Sequence, residues 1–146
     1  MQLSTLIPTL QLAIGPVILI SGIGLLLLGM TTRYGRTIDR TREIARSCRD
    51  TSEPDHERMT AQVRILMSRA HLLRGAIAAA CLSVLFAALL VIVLFVGELL
   101  GLELTAPLIG GLFIACMAGL IVSLVMYIAD IHRSLVALKL EIVETV

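Results

Sequence analysis

PTLQLAIGPVILISGIGLLLLGMTTRYGRTIDRTR, residues 8–42, changes character once, at the step from Thr32 to Arg33. Ahead of the step, the run from about Pro8 to Thr32 carries no charge and exceeds the about 20 helical residues that cross a hydrocarbon layer. Behind it, Arg33, Arg36, Asp39, Arg40 and Arg42 follow at helical spacing with no proline. The stretch therefore reads as one helix that leaves a membrane and continues into water.

The rest of the chain repeats the apolar half of that pattern twice. Charge-free runs extend from about Gly75 to Gly97 and from about Ala106 to Ala129. They are continuously apolar, not alternating, which excludes a transmembrane β-barrel. A mean hydropathy of +0.96 places the whole chain among membrane proteins. With 146 residues the expectation is one all-α membrane domain spanning 1–146, with spans at about 8–32, 75–97 and 106–129. A cleaved signal peptide is the competing reading of the first run. It is disfavoured by the length of the apolar stretch, by the lack of a basic residue ahead of it and by the lack of a small-x-small site behind it.

The net charge of +1 hides a strong asymmetry, since ten of the 12 basic residues fall between Arg33 and Arg74. Basic loops are retained in the cytoplasm, and the connection from Gly97 to Pro107 carries Glu98 and Glu103 without a base. The predicted topology puts the N-terminus outside and the C-terminus inside a plasma membrane of inner-membrane type. Residues 33–74 are expected to form a cytoplasmic helical hairpin built from extensions of spans one and two. Arg40 stands three before Glu43, and Glu43 three before Arg46, which supports a helix. Ser52 as N-cap, Pro54 and the acids Glu53, Asp55 and Glu57 mark the start of the next helix. That helix carries an apolar stripe at Met59, Val63, Leu66, Met67, Ala70 and Leu73.

Several chemistries are unsupported. His56, His71 and His132 are scattered, and no paired-cysteine or H-E-x-x-H spacing exists to hold a metal. Ser21, Ser83 and Ser123 have no visible base, so the chain is not expected to be an enzyme. Cys48, Cys81 and Cys116 read as small packing residues with no disulfide. Tyr34 is the single aromatic among the arginines, which argues against nucleic-acid binding. Arg33, Arg36 and Arg40 lie beyond the apolar run, so they do not form a voltage sensor. The arginines read first as a solvated anchor, and second as a surface for anionic lipid or a partner.

Polar and small residues inside the spans are the places to seek function. On a helical net Gln11, Gly15, Ile18, Gly22, Leu25, Gly29 and Arg33 share one face, with glycine recurring every seven residues. Such a face is either a tight helix seam or the lining of a path around a symmetric axis, and both require assembly. Gly110, Gly111 and Gly119 suggest close packing in span three. At its inner end Asp130 is expected to pair with Arg33 or Arg74 at the same depth, with its charge reaching water, in preference to a proton or ion relay.

Gln11 to Val17, Gly22-Ile23-Gly24 and Thr32 to Arg42 together resemble the bacterial membrane proteins of domain of unknown function family 2721. The resemblance covers nearly the whole chain. It implies a three-span inner-membrane protein, some relatives of which are regarded as pentameric sodium-selective channels constricted by first-span glutamines. Gln11 is the residue here that could take that role, with a sodium ion as its ligand and no cofactor. Thr32 replaces a frequent asparagine and Gly15 a frequent alanine, which bears on pore width. The expectation is a homo-oligomeric cation channel lined by the first span, with Glu98 and Glu103 at its outer mouth. The alternative is a membrane anchor or scaffold whose hairpin docks a partner or anionic lipid.

Overall fold

The computed structural model describes residues 3–47, 53–100 and 105–143. They form three helices: α1 (Leu3–Ser47), α2 (Glu53–Leu100) and α3 (Thr105–Val143), with no strand among the described residues. At 1.5 Å per residue the 45, 48 and 39 residues amount to about 67, 72 and 58 Å. That is about twice the 30 Å of a hydrocarbon core. Each helix is long and apolar enough to cross a membrane, within Leu10–Arg46, Val63–Leu100 and Pro107–Ser134. A backbone in lipid must satisfy its own hydrogen bonds, which the α-helix does within one segment.

α1 stays helical through Pro8 and Pro16 and through the polar sequence beyond Thr32. Three threonine hydroxyls there bond back along the helix: Thr32 donates to the Leu28 carbonyl at 2.8 Å, Thr37 to that of Arg33 at 3.0 Å and Thr41 to that of Thr37 at 2.7 Å. Such back-bonds satisfy the hydroxyls within a continuing helix, at a slight cost to its stability. Arg40 and Glu43 pair at 3.3 Å on the exposed side. α2 begins at Glu53, and the proposed cap Ser52 lies outside the described residues.

The chain divides into two compact units. The first comprises Met1–Leu27 and Ala78–Ser123. Its buried positions include Ala13 and Ile23 on α1, Ala80, Ser83, Ala87 and Leu90 on α2, and Cys116 and Ser123 on α3. On α2 they recur at three and four residues, the spacing of knobs-into-holes packing. Most are small, which lets helices approach closely in the absence of a hydrophobic drive between them. Ser83 Oγ donates to the Cys116 carbonyl at 2.7 Å. Gly119 lies against the same serine, and a Cβ there would stand 3.3 Å from Ser83 Cβ and 3.5 Å from the Ala79 carbonyl. Gly110 and Gly111, expected to pack in the same way, have nothing within 4 Å of a Cβ position. Close packing in α3 is therefore the work of Gly119 alone among the three.

The second unit comprises Leu28–Ile77 and Leu124–Val146. Met30 and Thr41 of α1, Ala70, Leu73 and Ala76 of α2, and Asp130 of α3 are buried in it. On α2, Val63 and Leu66 are half-buried ahead of Ala70 and Leu73. Met67, assigned to the same stripe by sequence, is 54% exposed. The packed line steps 63, 66, 70, 73, which leaves Met67 on its flank.

Candidate functional site

The face of α1 singled out by the sequence is open along its length. Gln11, Gly15, Ile18, Gly22, Leu25 and Gly29 are all exposed, Leu25 to 75%. A Cβ added at Gly15, Gly22 or Gly29 would meet nothing within 4 Å. The side of α1 that packs in the first unit carries Ala13, Pro16, Ile20 and Ile23, also stepped by three and four. A helix with 3.6 residues per turn can hold two such lines on different faces. One is used inside the chain, and the line with the glycines is not.

Around the open face, Ser21 donates back to the Val17 carbonyl at 3.2 Å. Ser83 is likewise engaged with a backbone oxygen, that of Cys116. Glu98, at the end of α2, is exposed, and Glu103 lies outside the described residues. Cys81 is exposed and Cys116 buried, both as free thiols.

The charged end of the second unit departs from expectation. Asp130 is 1% exposed and does not reach water. Its carboxylate lies 3.6 Å from Arg69 Nε, not against Arg33 or Arg74. The reason is helical phase: Arg69, Leu73, Ala76 and Ala80 step by four, three and four along the packed side of α2, whereas Arg74 is exposed. That spacing was present in the sequence and would have singled out Arg69. The pair is too long for a hydrogen bond, and both Arg69 Nε and Asp130 Oδ1 are buried without one. Arg33 instead holds its guanidinium 5.5 Å from the centre of the Tyr127 ring, within cation–π range. Met126, the neighbour of Tyr127, occupies the space above Gly75.

An all-helical chain with three membrane-crossing helices and no packed partner on one glycine face defines the class, a three-span integral membrane protein. A family model described as a protein of unknown function, DUF2721, matches residues 13–140. The chain belongs to that family. The match begins after Gln11 and includes the rest of the α1 face, the arginine-rich extensions and Asp130. No curated protein and no solved structure matches the chain.

Proposed function

We propose that the chain assembles with copies of itself into a cation channel whose axis is lined by the open face of α1. The observation that carries this reading is the exposure of Gly15, Gly22 and Gly29 in line, where a Cβ added at any of them would meet nothing within 4 Å. Glycine on a lipid-facing surface offers little packing area, whereas on an axis shared by several copies it lets backbones approach and leaves room for a path. Three helices alone cannot surround an aqueous passage, so conduction depends on a closed ring. Five copies and a preference for sodium are taken from the resemblance. Gln11 would form the narrow ring near the outer end, where its amide oxygen replaces part of an ion's water shell without binding it as strongly as a carboxylate. Glu98 and Glu103 would raise the cation concentration at that mouth. Arg33 would oppose cations at the other end, and its engagement with Tyr127 draws the guanidinium toward α3. By the positive-inside rule the arginine extensions would lie in the cytoplasm, with the N-terminus outside, and a bacterial plasma membrane is taken from the resemblance.

A membrane anchor or scaffold is the second reading, favoured by the exposure of Arg36, Arg42, Arg46 and Arg64 on the extensions. Sodium flux into liposomes holding the purified protein separates the two. The channel reading expects flux, and expects Gln11→Ala to change the sodium-to-potassium preference while the oligomer persists. An assembled protein that passes no ions leaves the anchor. Unchanged selectivity in an intact Gln11→Ala oligomer removes Gln11 as the filter.

A further inference from the structure

The second unit sets arginines from two helices at one level and leaves them without carboxylates. Met126 lies on Gly75, Tyr127 faces Arg33, and Asp130 faces Arg69, so three successive contacts along one turn of α3 align the helices. Arg33 on α1 and Arg74, next to Gly75 on α2, therefore stand at the same level, each where a charge-free apolar run ends. Arg133 on α3 comes about 9 Å beyond Tyr127, at the depth of Asp39 on α1, and belongs to the next level. Arg33 and Arg74 are both exposed. Asp130 is the acid of this level among the described residues, and it is buried against Arg69. The exposed acids Asp39 and Glu43 come about 9 Å or more further along α1, where Glu43 is engaged by Arg40.

We propose that Arg33 and Arg74 together bind the phosphate of an anionic phospholipid headgroup. Guanidinium groups match phosphate oxygens in a planar fork and are weakly hydrated. Tyr127 restrains one of these forks before the ligand arrives and presents an aromatic ring of the kind that settles at headgroup depth. The buried Arg69–Asp130 pair keeps the local carboxylate out of competition with the lipid. Arg33 and Arg74 stand where the apolar runs end, which is the depth of a lipid headgroup, whereas a soluble acidic partner would be met by the arginines further out on the extensions. The inference rests on the helices crossing a bilayer and not on conduction, so it stands or falls separately from the channel reading.

The test uses purified full-length protein in neutral detergent, titrated with phosphatidylglycerol or phosphatidylcholine and read by native mass spectrometry. Wild type should retain phosphatidylglycerol in preference to phosphatidylcholine. Arg33→Gln with Arg74→Gln should weaken that retention by about 25-fold, about fivefold for each arginine. Arg46→Gln, about 20 Å further along α1, should leave it unchanged. Arg33→Lys with Arg74→Lys keeps the charge and should recover part of the affinity, and thermal unfolding in detergent reports whether the glutamine variant is folded. Equal retention of the two lipids by wild type overturns the proposal, as does full retention by a folded double glutamine variant. Displacement of phosphatidylglycerol by millimolar inorganic phosphate would make the site one for free phosphate and would also overturn it.

Discussion

Gly119 and Gly22 are both span glycines, yet one is closed over and the other open. At Gly119 the Ser83 side chain and the Ala79 carbonyl come within 3.5 Å of where a Cβ would sit, and Ser83 bonds to Cys116 beside it. At Gly22 there is nothing within 4 Å. Small residues allow helices to approach but do not choose the partner. α2 and α3 use this allowance within one chain, whereas the glycine face of α1 leaves it unused there. The same contrast holds for charge, between Asp130, buried against a half-buried Arg69, and the exposed arginines on either side.

Breaking the closed side should show in the stability of the single chain. Arg69→Met leaves Asp130 buried and unpaired, and should cost about 3 kcal/mol in thermal or denaturant unfolding in detergent, the lower end for a broken buried pair. Arg69→Met with Asp130→Leu should recover most of that, because neither pair atom has a hydrogen bond to lose. A single variant as stable as wild type would mean that Asp130 reaches water after all.

The two glycines give the next largest effect and the clearest contrast. Gly119→Leu should destabilise the chain by about 2 kcal/mol through overpacking against Ser83 and Ala79. Gly22→Leu should leave unfolding of the chain unchanged within about 0.5 kcal/mol, as surface substitutions do, and should reduce the oligomeric fraction in native mass measurement. Equal losses of chain stability would erase the distinction between the faces. Ser83→Ala should be smallest, about 0.6 kcal/mol, the average for a hydrogen bond between membrane helices. A much larger loss would place the specificity of the α2–α3 contact in that hydroxyl and not in the glycine opposite.

Much of the architecture was legible because lipid leaves the backbone few choices. Continuous apolar runs must be helical when each residue's own N–H and C=O need partners. The spans, the unbroken passage of α1 from Thr32 into the arginines, and the Arg40–Glu43 spacing all follow from composition and local order. The candidate face of α1 was legible as a line of glycines, but its being free of the other two helices was not. Met67, Gly110, Gly111 and the partner of Asp130 were misplaced for one reason: each depends on how a helix is rotated about its axis.

By itself the amino-acid sequence determined three membrane-crossing helices, their polar extensions and a strongly arginine-rich end, since those depend on transfer free energies and local hydrogen bonding. Only the tertiary structure decided which sides pack. It set Arg69 rather than Arg74 against Asp130, Gly119 rather than Gly110 against Ser83, and left the Gly15, Gly22 and Gly29 face open. In a soluble helix the apolar stripe would have announced the packed side. In a span that is apolar all round, hydrophobicity carries no direction, and rotation is settled by the fit of small side chains and the few polar contacts between helices.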